Sequence, residues 1–434
     1  MDFREYIAHL KEKGLLKIID KPLSVKYDIP FIMKKYDGIP ILFENPIMED
    51  GRKSEMKIIG NIMSSPELFA GSIGIKKTEW IRTMNDALKR KGELIEVPNI
   101  LHYIGADLDR IPFLTHYEND PGPYITSDVT VADRNGRKNA SVHRMLKLGK
   151  DRIVIRMVER HLYEMSKESG WNMPITISIG NRPSVLIAAS TSIGPERFEL
   201  EYASALERKP IEFSIGKNGI PFPADAEIVI EGMITAEEAD EGPFVDLTET
   251  DDHVRKQHVF KVTNVGLKKD AIYHALLPGA NEHKLLMGQP RTPMIYDFVK
   301  NAGFRPVDVF LTPGGSGWLS AVVSIEKKRE SDGVNAAYAA ISGHYSLREV
   351  TIVDKDIDVS NPHQVEWARI MFCKEIINTP VMTGSSLHPF ANADTAINKF
   401  IVDATRPVEI NIPKGKEGKF KKPGIPKSER VDGI

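Results

Sequence analysis

One cysteine, Cys373, occurs in 434 residues, so no disulfide can close within the chain and a zinc site built on cysteines is excluded. That residue ends an apolar helical pattern, Trp367 to Cys373, which predicts a buried core thiol rather than a nucleophile. No window approaches the roughly 18 uncharged apolar residues that a membrane span requires. Lys11, Glu12 and Lys13 break the first apolar stretch, which therefore does not fit a signal peptide. Charge of one sign is not in excess either: 58 Lys and Arg stand against 60 Asp and Glu, a net charge of -2. That balance gives no electrostatic reason to expect nucleic acid or a membrane as partner. There is no Gly-x-Ser-x-Gly elbow, and the glycine-rich Thr312 to Gly317 stretch matches neither the Walker nor the dinucleotide pattern, so it reads as a tight turn. A cytoplasmic chain is the expectation.

What is present is ordinary globular material, 41% hydrophobic and 27% charged, with length for two to four domains. At the start, Phe3, Tyr6, Ile7 and Leu10 repeat at helical spacing behind an Asp2 cap. Strand-like runs follow at Leu15–Ile19, Pro40–Phe43 and Met56–Gly60. Ser65-Pro66 opens a helix, and Thr78–Lys91 is amphipathic, with Trp80, Ile81, Met84 and Leu88 on one face. Residues 1–105 therefore read as an α/β domain. From 106 to 290 short β-like runs dominate: Tyr124–Ala132, Arg152–Val158, Pro174–Ile179, Ser184–Ala189, Ile211–Ile215, Ala226–Ile230, His258–Val265 and Ala271–His274. Asn135-Gly136 and Asn218-Gly219 are tight-turn signals, and one helix is expected over Pro195–Glu207. This predicts a barrel-like β domain. Residues 291–412 alternate again. Helices are expected at Thr292–Ala302, Gly333–Gly343 and Pro362–Ile377, and strands at Val307–Leu311, Ser320–Ile325 and Glu349–Val353, giving a third, α/β domain with a partly parallel sheet. The end, 413–434, is basic, rich in Gly and Pro, and reads as a flexible tail.

Several residues have the chemistry for a site. Glu241 and Asp246 flank a Gly-Pro turn after an apolar run, which places an acid and a base side by side. Arg144 has the fork to hold a carboxylate or phosphate. Asn139, His161 and Glu199 form a nitrogen and oxygen set suited to manganese or magnesium. Each also has a plainer reading. The acidic turn faces water, Asn139 to Arg144 is a hairpin arm, His161 is a satisfied polar position at a strand end, and Glu199 shares a solvated helix face with Glu196. Lys399 is a surface lysine or an anion contact.

Their order along the chain carries more than any one of them. Asn139-x4-Arg144, His161, Glu199 ahead of Glu201-Tyr202, Ala226 to Gly232, Glu241-Gly-Pro-Phe-Val-Asp246, Glu349 to Asp358 and Lys399 to Thr405 together resemble the UbiD family of decarboxylases, which use prenylated FMN. The resemblance runs from the first helix to Pro407. It implies an α/β (α+β) fold with an N-terminal α/β domain, a central split β-barrel that binds the flavin, and a C-terminal α/β domain for oligomerisation. It places a divalent metal, usually manganese, with potassium as a second candidate ion, on Asn139, His161 and Glu199, bridging to the flavin phosphate. It places the catalytic group on Arg144, Glu241 and Asp246, with Asp246 as proton donor. Val142 and His143 line the cofactor with their backbone, and Lys399 is a candidate for its phosphate.

The chemistry agrees with these roles. Decarboxylation leaves an electron pair that no side chain can take up, so a cofactor must supply the sink. Arg144 beside Glu241 keeps that glutamate ionised, while Asp246, if buried, holds a proton. The sequence departs from the family in Val245, where relatives carry glycine, and in Asp246, where many carry glutamate. The spacing before the helix leaves Glu196 and Glu201 as alternatives to Glu199.

The chain is similar to the compact archaeal members, which implies trans-anhydromevalonate 5-phosphate as substrate and isopentenyl phosphate as product. His143 and Arg255 are candidates for the substrate's phosphate. The alternatives are a 4-hydroxybenzoate-type aromatic acid decarboxylase, a catalytically silent flavin-binding protein and a metal-dependent phosphohydrolase. Implied partners are a small carboxylic acid, a flavin prenyltransferase that supplies the cofactor, and further copies of the chain in a homodimer or larger assembly.

Overall fold

The computed structural model describes residues 1–194, 196–383 and 396–420. These fall into two compact units, one of Met1–Pro293 with Leu311–Ser320, the other of Met294–Phe310 with the described residues from Ala321 onward.

The first unit opens with the helix Phe3–Glu12. Asp2 Oδ1 accepts from the Glu5 amide at 2.8 Å and Glu5 Oε2 from the Asp2 amide at 2.9 Å, a reciprocal cap. Its buried residues are Phe3, Tyr6, Ile7 and Leu10, as the periodicity required. Ser65 caps the helix Pro66–Gly71 by accepting from Leu68 N. In the helix Trp80–Leu88 the buried face is Trp80, Ile81, Met84 and Ala87; Leu88, expected on that face, is exposed at its end. A four-stranded sheet runs in the order Lys17–Ile19, Ile41–Phe43, Lys57–Gly60, Ile272–Ala275. The last of these pairs in parallel with Lys57–Gly60. Such a long-range parallel partner leaves no local turn signal behind it.

The larger sheet of this unit has nine strands, and every pairing in it is antiparallel. The Asn135-Gly136 turn joins Asp128–Arg134 to Arg137–Ser141, with Arg134 opposite Arg137 and positive φ at both turn residues. Ile125 from the strand at one end and Ala132 from near the other belong to the same buried cluster as Ile155, Ile177, Ile230 and Phe260. Side chains from both ends can meet only if the sheet curls, so it forms an open half-barrel around one core.

Four expectations need correcting here. Ser184–Ala189 is not a strand; Pro183–Ala189 is a helix, buried all round, with Pro183 in its first turn. A short run buried on every side shows no period by which helix and strand can be told apart. The helix expected from Pro195 begins at Glu199 and ends at Glu207, while Pro195 lies outside the described residues. His161 does not end a strand but starts the helix His161–Glu168, after Arg160. The strand expected to stop at Ile230 runs on as Ile228–Glu241. Its second half, Thr235 to Asp240, lies mostly in solvent and is polar, so apolar patterning could not reveal it; the ladder with Arg255–Leu267 continues across two register shifts.

In the second unit a five-stranded sheet has the order Pro306–Leu311, Ser320–Ile325, Glu349–Asp354, Ala396–Asp403, Ile376–Thr383. Glu349–Asp354 and Ala396–Asp403 are parallel, and Ile376–Thr383 is antiparallel to its neighbour. The helix expected to reach Ile377 stops at Phe372, and Ile376 already belongs to a strand. Cys373 caps that helix, partly exposed, with Sγ donating to the Glu375 carbonyl at 3.2 Å; it is not a core thiol. Residues 421–434 of the expected tail lie outside the described residues.

Gly232 sits where the long strand shifts register, and a Cβ there would stand 2.1 Å from the Lys261 carbonyl oxygen. Gly232→Ala is expected to lower unfolding free energy by about 1–3 kcal/mol, measured by urea denaturation. An unchanged midpoint would show that the two strands separate freely at this point.

Candidate active site

The long antiparallel ribbon brings the functional residues together. Glu241 ends the strand Ile228–Glu241 and lies directly opposite Arg255, which begins Arg255–Leu267. Arg144 precedes the strand Met145–Lys147, and its carbonyl accepts from Arg156 N at 3.0 Å. Arg144 reaches Glu241 with two parallel hydrogen bonds, Nε to Oε1 at 2.8 Å and Nη2 to Oε2 at 2.9 Å. The Glu241 side chain is fully buried, so a paired guanidinium is what allows it to stay charged there. Phe244 places its ring 4.5 Å from the same guanidinium.

Asp246 is held differently. Its Oδ2 is 3.6 Å from Arg144 Nη1, its Oδ1 accepts from Leu247 N at 2.7 Å, and its side chain is 27% exposed. Burial was the condition under which it was expected to hold a proton; its side chain is instead partly exposed, with looser contacts. The two carboxylates thus differ in environment, though each faces Arg144.

Sequence reading missed a third carboxylate. Asp252 Oδ2 accepts from Arg144 Nη2 at 2.9 Å and from Arg255 Nη1 at 2.6 Å, and Asp252 Oδ1 from Arg255 Nη2 at 2.8 Å. Burial would raise its pKa, but the two arginines hold it well below the usual carboxylate range. The signal that could have found it is the acidic pair Asp251-Asp252 placed just after Asp246. Arg255, proposed above for a substrate phosphate, is therefore committed to Asp252. His283, in the helix Asn281–Gly288, was also missed. Its Nδ1 accepts from Gly279 N at 3.1 Å, and burial lowers its pKa to about 4 even though Asp246 pulls the other way.

Asn139 and Glu199 meet near the opposite edge of the same sheet. Asn139 Nδ2 donates to Glu199 Oε1 at 3.2 Å and Ala140 N to Glu199 Oε2 at 2.7 Å. Glu199, the first residue of its helix, is buried rather than on a solvated face, and burial pushes its pKa up to about 7. No cation pairs with it among the described residues. That is a donor set a hard divalent ion would complete. Glu196 and Glu201 make no contact of this kind with Asn139. His161, in the first turn of its helix, has no hydrogen bond to either residue. Among the described residues no three His, Cys, Asp or Glu side chains converge as a metal cluster.

Val142 and His143 lie between two strands, half-buried. The His143 ring is pinned at both nitrogens, to Ser141 Oγ at 2.8 Å and to the Arg156 carbonyl at 3.1 Å, and its amide donates to Asp128 Oδ1 at 3.1 Å. Burial lowers the pKa of that ring to about 4, so it offers a phosphate no charge. Lys399 is in the second unit and buried; its ammonium donates to the carbonyls of Tyr345 and of Leu347, the latter at 2.7 Å. It serves there as a backbone tie rather than on the surface.

The chain is similar to known proteins along nearly its whole length. The 3-octaprenyl-4-hydroxybenzoate carboxy-lyase models match three successive stretches: the N-terminal domain over residues 7–88, the Rift-related domain over 92–281 and the C-terminal domain over 284–404. Anhydromevalonate phosphate decarboxylase of Methanosarcina mazei is 39% identical over 418 residues, covering 94% of this chain and 96% of that protein. The protein of the same name from Methanocaldococcus jannaschii is 39% identical over 425 residues, covering 94% and 97%. Among solved structures, the UbiD-class enzyme HmfF from Pelotomaculum thermopropionicum in complex with FMN superposes with a TM-score of 0.91 at 31% identity, covering 100% of this chain and 99% of that one.

Asp128, fully buried, holds the His143 amide and accepts from Thr130 Oγ1 at 2.7 Å; burial pushes its pKa up to about 7. An acid with a raised folded pKa binds more protons folded than unfolded, so its contribution falls as pH rises from its unfolded value near 3.8 through about 7. The stability of Asp128→Asn relative to wild type is expected to rise across that window in chemical denaturation. A difference flat with pH would mean that the carboxyl is not protonated in the folded protein.

Proposed function

The chain belongs to the UbiD carboxy-lyase family, and on that premise we propose that it removes carbon dioxide from trans-anhydromevalonate 5-phosphate to leave isopentenyl phosphate. The observation that carries the reading is the buried Arg144–Glu241 pair with Asp246 beside it, in a chain 39% identical to curated anhydromevalonate phosphate decarboxylases along nearly its whole length.

Prenylated FMN, when bound, supplies the electron sink for the pair of electrons left by carbon dioxide. The protein's own groups do the rest. Arg144, fixed by Glu241 and Asp252, presents an oriented positive edge to the anionic end of the acid. Glu241, locked in both its oxygens, stays ionised and keeps Arg144 from swinging. Asp246 carries the proton to the α-carbon after the carboxyl group has gone; its one short hydrogen bond, from Leu247 N to Oδ1, leaves Oδ2 able to turn toward substrate. Val142 and His143 offer backbone to the flavin. Asn139 and Glu199 would hold a divalent ion together with His161, manganese being our choice and potassium a companion. That ion supplies the positive charge the buried Glu199 lacks.

Finer features go with this reading. We take the chain as three domains, 1–105, 106–290 and 291–412, the central one a split β-barrel and the last an oligomerisation domain in a homodimer or larger assembly. The enzyme works in the cytoplasm and takes its cofactor from a flavin prenyltransferase.

The test is carbon dioxide release from trans-anhydromevalonate 5-phosphate against 4-hydroxybenzoate and related aromatic acids, with protein co-expressed with a flavin prenyltransferase. Turnover confined to the aromatic acids would replace the substrate assignment. Asp246→Asn is expected to keep its flavin absorbance and lose about 100- to 10,000-fold in kcat; full activity in that variant rules out the proton-donor role.

A further inference from the structure

Three arginines share one face of the central sheet. Met145 pairs with Ile155, and the ladder continues with Arg156 N donating to the Arg144 carbonyl at 3.0 Å, so Arg156 stands across from Arg144. Residues opposite each other in an antiparallel pair point to the same face, with Cβ atoms about 5 Å apart. On its other side the strand Arg152–Ile155 pairs with Arg255–Leu267 in a register that sets Val154 against Val259. That register puts Arg156 opposite Gln257, whose Oε1 accepts from Met157 N at 2.8 Å. Arg255 lies two residues along, on the same face. Like charges so arranged repel, and the arrangement needs an explanation.

Carboxylates account for two of the three. Arg144 has Glu241 and Asp252, and Arg255 has Asp252. Arg156 has neither. Its guanidinium donates from Nη1 to the Met157 carbonyl at 2.8 Å, and among the described residues no carboxylate lies within ion-pair distance of it. Burial, then Arg255 and Arg144, lower its pKa, and the more distant charges of Glu241 and Asp252 offset this only in part. Glu241, Asp246 and Asp252 are all taken up by Arg144 or Arg255, and none of them pairs with Arg156.

We propose that Arg156 binds the phosphomonoester end of the substrate. The two cations first considered for that role are otherwise engaged, Arg255 by Asp252 and His143 by neutrality. Arg156 retains free N–H donors in a planar fork suited to phosphate oxygens. It stands one strand away from Arg144 on the same face of the sheet, beside the acid end of the substrate proposed at Asp246 and Arg144. The proposal rests on the reaction given above and adds the residue that distinguishes a phosphorylated acid from an unphosphorylated one. The flavin's own phosphate has the same chemistry, and the experiment separates the two sources.

Calorimetric titration of the FMN-loaded protein with isopentenyl phosphate, and with the corresponding alcohol, tests this in wild type, Arg156→Gln and Arg156→Lys. Arg156→Gln should bind the phosphate ester about 10- to 100-fold more weakly, bind the alcohol as wild type does, and keep its flavin. Arg156→Lys should recover part of the loss. The melting temperature of Arg156→Gln should equal or exceed that of wild type, because repulsion is relieved. Equal ester affinity in wild type and Arg156→Gln overturns the proposal. So does loss of flavin with ester affinity unchanged, which hands the arginine to the cofactor, and so does a melting temperature several degrees lower, which makes Arg156 a structural tie. Titration reads binding, so a protein that binds the ester through Arg156 yet releases no carbon dioxide would sink the reaction and leave this site standing.

Discussion

A carboxylate with no exposed surface must have a cation, and the bond between Glu241 and Arg144 is the constraint around which the site is arranged. Removing either partner would strand a buried charge. The pair spans two segments nearly a hundred residues apart, so it also fixes how the Met145–Lys147 side of the sheet meets the end of the long strand Ile228–Glu241. Asp252 joins from the next turn and ties Arg255 into the same network. The outcome is a fixed charged group on the sheet, in which Asp246 has looser contacts than Glu241 or Asp252.

The half-barrel makes that arrangement affordable. Ile228–Glu241 and Arg255–Leu267 are anchored by residues such as Ile230, Ile234, Phe260 and Val262 in the main core, and their far ends project beyond it. The charged cluster sits on those projecting ends, next to the core but not within it. The helix Glu199–Glu207 lies near the other end of the sheet, where Glu199 accepts from the amide of Ala140 and meets Asn139. Two buried glutamates are thereby placed on one sheet by its strand order, Glu241 paired with Arg144 and Glu199 with no cation among the described residues.

Much of this was legible in the sequence, and the limits were physical. A helix with a cap and an apolar stripe, such as Phe3–Glu12, announces itself because cap and stripe are local. The Asn135-Gly136 hairpin is local as well, since its turn needs two residues with positive φ. The polar half of Ile228–Glu241 was hidden because its strand character comes from a partner ladder and not from burial. Pro183–Ala189 was misread because a segment buried on all sides has no period. Of the site, Arg144, Glu241 and Asp246 were picked out by type and order. Asp252 and Arg156 were not: the acidic pair Asp251-Asp252 was the one local sign of the first, and Arg156, just past the strand Arg152–Ile155, has no mark until its neighbours across the ladder are known.

The sequence by itself determined the family, the residue types for decarboxylation and most elements, since these depend on local pattern and on the order of motifs along one chain. Only the tertiary structure decided which charges neutralise one another. It paired Arg255 with Asp252, left the His143 ring without charge, turned Lys399 onto backbone carbonyls and left Arg156 beside Arg144 without a carboxylate among the described residues. Electrostatic roles depend on distance and burial, and both are set by strand register rather than by position in the sequence. So the acidic turn Glu241 to Asp246 became two unlike groups, one a locked anion and the other a carboxyl at the rim.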